Sequence, residues 1–223
     1  MIRAIVYDAV GTLIHVTPSV AEIYAAVGRR FGSRRTPDEI RRRFHAAFAE
    51  QDRLDAAAGW RTSEERERQR WRDIVLEVLD DALPPIACFE TLWDAFSKPD
   101  AWRLDADADK VLRHFQTRGV RQAVASNFDQ RLRGLIDAKL FDAILISSEI
   151  GWRKPAPEFF AHVIDTLRLP AKEILFVGDD RVNDYEAALG AGMSSMLFDP
   201  QGRHLDVGSH RIDRLTQLMM FPV

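Results

Sequence analysis

Five short apolar runs punctuate the chain, at 2–7, 122–126, 143–147, 174–178 and 195–198, and each gives way to small or polar residues. Runs of this length with little alternation suit strands covered on both faces. Between them the hydrophobic period becomes helical. Over 106–117, Val111, Leu112 and Phe115 share one face, and 130–138, 157–167 and 183–191 carry comparable stripes. Strands alternating with helices predict an α/β domain with a doubly wound parallel sheet, whose ligand sites lie outside the carboxyl ends of the strands.

From about Thr17 to Pro99 the strand pattern vanishes and the text is helical and charged, with breaks at Gly32, Thr36-Pro37, Gly59, Thr62-Ser63 and Pro84-Pro85. Thr36 and Ser63 are N-cap residues followed by acids in the first turn, which predicts helices near 37–55 and 63–82. One strand is not stable alone, so the first run must join a sheet completed after this insertion. The expected organisation is a discontinuous core, residues 1–15 and 101–223, with a helical unit over 16–100.

The chain has 223 residues, of which 46% are hydrophobic, enough for a sizeable core. A formal net charge of −3 offers no field to hold nucleic acid or an anionic membrane, so neither partner is expected. Cys88 is the single cysteine, which excludes an internal disulfide and a cysteine-rich metal site. The N-terminus has neither signal-peptide pattern nor spanning segment, and a cytoplasmic location is expected.

The ends of the predicted strands carry the polar groups: Asp8, then Ser126-Asn127, then Asp179-Asp180 with Asp184 behind; Lys154 lies in a loop between. In a parallel sheet these ends converge on one edge. Taken singly, each has a bland explanation: Asp8 as a turn residue, Ser126-Asn127 and Asp179-Asp180 as helix caps, Lys154 as a solvated loop lysine. Taken together they suit phosphoryl chemistry. Asp8 is the candidate carboxylate nucleophile, Asp179 and Asp184 are candidates to hold magnesium, Lys154 offsets the negative charge, and Ser126 donates hydrogen bonds.

Four segments, Asp8-Ala-Val-Gly-Thr-Leu13, Val124-Ala-Ser-Asn127, Lys154-Pro-Ala-Pro-Glu-Phe159 and Val177-Gly-Asp-Asp-Arg-Val-Asn-Asp184, resemble in order the motifs of the haloacid dehalogenase-like hydrolase superfamily. The resemblance implies a Rossmann-like core with an inserted helical cap. It also implies Asp8 as nucleophile, Ser126 and Lys154 as groups binding phosphate or carboxylate, and Mg2+ held by Asp8, the backbone carbonyl of Val10, Asp179 and Asp184. Thr12, Asn127 and Trp152 are the candidate substrate contacts.

The departure is Val10, where phosphatases of this family usually place a second aspartate that protonates the departing alcohol. A valine transfers no proton. Three functions follow as expectations: a slowed Mg2+-dependent phosphatase acting on a small anionic metabolite, a 2-haloacid dehalogenase-like hydrolase whose halide needs no proton, and a weakened protein that binds a ligand or partner. The dehalogenases share a non-acid at this position but generally lack the acidic fourth motif, which Asp179 and Asp180 retain here. His15 is the nearest titratable side chain downstream.

Seven arginines between Arg29 and Arg43 read as a solvated face with local acidic partners. Phe44, Phe48, Trp60, Trp71 and Trp93 are expected to pack the helical unit, with Trp60, after Gly59, a candidate for the pocket and Trp152 a stronger one.

Overall fold

The computed structural model describes residues 1–222. Six strands, β1 (Ala4–Tyr7), β4 (Arg121–Ser126), β5 (Ala143–Ile146), β6 (Ile174–Gly178), β7 (Ser194–Phe198) and β8 (Arg211–Ile212), form one sheet in the order β5-β4-β1-β6-β7-β8. Every pairing in it is parallel. All four residues of β1 are buried. Ile5 and Tyr7 enter the apolar cluster on one face of the sheet, while Ala4 and Val6 enter the cluster on the other, as the strand period of two requires.

Helices complete the two layers. α5 (Ala108–Gln116) packs Val111, Leu112 and Phe115 on the first face, and α7 (Pro157–Leu167) packs Phe159, Phe160 and Val163 on the second. Two single-turn helices, α6 (Ser147–Ile150) and α8 (Ala187–Gly190), follow β5 and β6, the latter after a wide helical turn at Arg181–Glu186. One expected helix does not form: 130–138 is broken into the short turns Gln130–Gly134 and Ala138–Leu140. The Asp129 and Asp137 side chains accept from Arg131 N and Lys139 N, two residues on, and such local bonds compete with a continuous helix.

The region after β1 is helical. It comprises α1 (Val20–Arg30), α2 (Pro37–Ala57), α3 (Glu64–Val78) and α4 (Pro85–Ala95), around an apolar cluster of their own that includes Tyr24, Ile40, Ile74 and Phe89. Ser19 and Thr36 each make a capping box, with Glu22 and Glu39, and Ser63 caps α3. The two strands of chain joining this layer to the sheet pair as an antiparallel ribbon, β2 (Ile14–Val16) with β3 (Trp102–Leu104), which the hydrophobic pattern did not foretell. Arg35 and Arg43 engage Asp80 and Arg41 engages Asp38, so these three arginines of the basic stretch pair locally on the surface of the helical layer. Among the described residues no helix is long and apolar enough to cross a membrane.

Candidate active site

The strand order decides which side chains meet. β1 lies between β4 and β6, with Tyr7 in register with Val124 on one side and Val177 on the other. The residues just past these three strands are therefore neighbours. Asp8, Asp179 and Asp184 each offer a carboxylate oxygen within 4.8 Å of the others.

Lys154 ties the cluster together. Its ammonium donates to Asp8 Oδ1 at 2.6 Å, to Asp184 Oδ1 at 2.5 Å and to the Ala125 carbonyl at 3.1 Å, which uses all three of its protons. The Ser126 hydroxyl adds a second donor to Asp8 Oδ1, at 3.0 Å. Both of these bonds fall on the same oxygen, so Oδ2 is the oxygen of Asp8 left without a side-chain donor from Lys154 or Ser126. Asn127 supports the arrangement from below: its amide donates to the Lys154 carbonyl at 2.9 Å and accepts from Lys154 N at 2.8 Å, which clamps the lysine loop onto the end of β4. Asp180 caps the following helical turn, accepting from Val182 N and Asn183 N, and its own N–H donates to Asp184 Oδ2 at 3.0 Å.

The electrostatics follow from three acids sharing one base. Burial, reinforced by Asp8 and Asp184, pushes the Asp179 carboxyl up to about 8. Burial likewise pushes Asp184 up to about 7 against the pull of Lys154. Burial would lower Lys154, but Asp184 and Asp8 outweigh it and hold the ammonium above the usual lysine range. Two glycines make room for the acids. A Cβ on Gly11 would lie 2.4 Å from Asp179 Oδ2, and one on Gly178 would lie 2.3 Å from the Asp184 carboxyl carbon; Gly11 also has φ +94°.

A cavity of about 340 Å³ opens over these groups. Asp8, Val10, Ser126, Asn127, Lys154, Asp179 and Asp184 all border it. Two expected substrate contacts lie elsewhere. Thr12 is fully buried beneath Asp179 and donates to its Oδ1 at 3.4 Å, and it does not border the cavity. Trp152 packs under the Arg61 guanidinium, 4.3 Å from the ring centroid, where the helical layer meets the sheet edge. Its ring is a seat for the helical layer and does not line the cavity, and Trp60 is also absent from the wall. His15 pairs with Asp105 at 3.0 Å and does not border the cavity either.

The sequence reading missed what covers the site. Arg153, next to Lys154, reaches into the helical layer, where it bonds Glu67 and lies 3.6 Å from Asp55; its backbone N donates to the Trp60 carbonyl at 2.9 Å. Arg70 and Arg66 complete this buried network on Asp55. Arg131 stacks on Trp93, 3.4 Å from the ring centroid, and bonds Asp129 through both carboxylate oxygens. A charged residue beside a candidate catalytic lysine was the one available hint, and its buried partners lie far away in sequence.

A parallel sheet with acidic strand ends lies beneath a covering helical layer, and the comparisons with known proteins place the chain among hydrolases. The model of haloacid dehalogenase-like hydrolases matches residues 2–192, and the chain belongs to that family. It is 31% identical to the human haloacid dehalogenase-like hydrolase domain-containing protein 3, over 98% of this chain and 92% of that protein. Among solved structures it resembles the L-2-haloacid dehalogenase from Xanthobacter autotrophicus, with a TM-score of 0.76 and 20% identity over 99% of this chain and 98% of that one. A phosphatase of the family from Thermococcus onnurineus has a TM-score of 0.65 and 21% identity over 98% and 97%.

Proposed function

We propose that the protein is a Mg2+-dependent phosphatase that hydrolyses a small anionic phosphate ester through an aspartyl-phosphate on Asp8. The observation that carries this reading is the convergence of Asp8, Asp179 and Asp184 with Lys154 as their single ammonium. Three carboxylates against one ammonium hold on to protons that a cation could displace, and hard oxygen donors of that kind suit a magnesium ion. Asp179 fits best, since its carboxyl has only a long bond from Thr12 and glycine backbone beside it. Asp8, Asp179, the Val10 carbonyl and Asp184, directly or through water, would hold the ion. Bound there, Mg2+ supplies the positive charge that lets an anionic phosphoryl group approach a carboxylate.

The chain's own groups account for the remaining chemistry. Lys154 and Ser126 hold Asp8 by Oδ1 and orient Oδ2 for attack. A bond forms between Asp8 Oδ2 and phosphorus as the bond from phosphorus to the leaving oxygen breaks, its electron pair staying on that oxygen. Water then attacks phosphorus, releases inorganic phosphate and regenerates the carboxylate. The helical layer above excludes bulk water from the charged cluster.

Val10 on the cavity wall favours a second reading, cleavage of a carbon–halogen bond, because a halide leaves without a proton. A panel of phosphate esters and 2-haloacids separates the two. Phosphate release that requires Mg2+ is the expected result. Halide release undiminished by a chelator, with no phosphate released, would replace the phosphatase reading with the dehalogenase one.

A further inference from the structure

The cavity does not end at the carboxylates. It continues upward between the helices of the covering layer, and all four of them contribute to its wall: Val20 and Tyr24 from α1, Phe44 from α2, Trp71 from α3, Phe89 from α4. The charged side chains that reach this upper part are already engaged. Arg131 is held by Asp129 and Arg70 by Asp55, each in a buried or nearly buried pair; Arg70 also reaches the part-exposed Asp52, and Arg153 pairs with Glu67 and lies 3.6 Å from Asp55, its buried Nε lacking a hydrogen bond. A sugar or polyol seated there would lose its water and find aromatic rings in exchange.

Val10 faces the same space. Without a proton donor beside it, the expelled oxygen must be stable as an anion. A phenolic oxygen, with a pKa of about 10, meets that demand, whereas an alcohol near that of water, about 15.7, does not.

We propose that the substrate is a hydrophobic aryl phosphate, its phosphoryl group over Asp8 and its ring in the aromatic chamber of the helical layer. This inference rests on the phosphatase reading for its phosphoryl half only; the chamber's preference for an apolar group stands on its lining. Each methylene-sized unit moved from water into such a wall is worth about a fourfold gain in affinity.

The test uses the full chain with Mg2+ and compares 1-naphthyl phosphate with glucose 6-phosphate, alongside calorimetric titration with 1-naphthol in the absence of any ester. The expected kcat/KM for the naphthyl ester exceeds that for the sugar ester by about 100-fold or more, and 1-naphthol binds while glucose does not. Val16→Phe and Val20→Phe, at two half-buried wall positions, should each reduce the naphthyl preference over the sugar ester about tenfold and weaken 1-naphthol binding. Far-UV circular dichroism and the melting temperature report that the variants are folded. Equal kcat/KM for the two esters, or a naphthyl preference unaltered in both variants, overturns the proposal. Binding of 1-naphthol with no ester hydrolysed would remove the phosphatase reading and with it the aryl phosphate, leaving an apolar chamber; hydrolysis of sugar phosphates without naphthol binding would keep the phosphatase and remove the chamber.

Discussion

Asp8 is held on one oxygen by an ammonium and a hydroxyl, and in the proposed reaction Val10, two positions later, limits what the other oxygen can accomplish. Val10 borders the cavity, and its isopropyl side chain has no proton to give up. General acid help is typically worth about 10²- to 10⁴-fold. Val10→Asp is therefore expected to raise turnover of an alkyl phosphate about 100-fold while changing that of an aryl phosphate far less, because phenolate leaves unaided. Steady-state rates on the two ester types check this, and equal gains on both would show that protonation is not what Val10 withholds. Asp179 gives a second expectation. Its folded-state pKa of about 8 lies above that of an unfolded aspartate, so between pH 4 and 8 the folded chain holds a proton that the unfolded chain has released. The associated stability is fully present below about pH 4 and is lost as pH rises through about 8. In a chelator, the melting temperature should fall from pH 5 to pH 8; with saturating Mg2+, which takes the place of that proton, the fall should shrink. The difference between the two curves isolates the site from every group that titrates alike in both, and identical curves would count against a metal at Asp179.

Among the elements, the loop carrying Arg153 and Lys154 serves two layers at once. Lys154 turns into the sheet edge and Arg153 into the helical layer, where Glu67 and Asp55 are each 1% exposed. Removing one partner of a buried ion pair strands the other, at a cost of about 3 kcal/mol. Arg153→Met should lower the unfolding free energy by about that amount in urea titration, and adding Glu67→Leu should restore part of it; a loss below 1 kcal/mol would mean that the network is not needed to seat the helices. This is also the scale at which the sequence was least readable. The five strands and α7 were legible because fully buried runs and a clear helical stripe leave a strong local pattern, as Ile174–Gly178 and Pro157–Leu167 illustrate. The β2-β3 ribbon was not, since three residues on each side of a long insertion carry no periodicity. The broken 130–138 segment misled because aspartates that cap short turns sit beside leucines at helical spacing. Trp152 misled for a related reason: adjacency to Lys154 in sequence says nothing about which side of the loop a ring takes.

For the whole molecule, the arrangement divides the labour between a sheet edge that positions charge and a helical layer that supplies apolar walls. The catalytic candidates were legible because parallel topology forces strand ends together, so motifs far apart in sequence had one place to meet. The chamber was not, because a cavity between four helices depends on where packing fails, and the same aromatic residues fill a solid core equally well on paper. The proposed phosphatase chemistry depends on Asp8 forming a covalent bond to phosphorus, whereas the apolar chamber does not. The most direct test is rapid acid quenching of the protein during turnover of 1-naphthyl phosphate with Mg2+, followed by mass spectrometry of the peptide containing residue 8. A phosphoryl adduct on Asp8 that appears before phosphate release and is absent in Asp8→Asn is the predicted result; turnover without an adduct at any quench time, or an adduct that persists in Asp8→Asn, would contradict it.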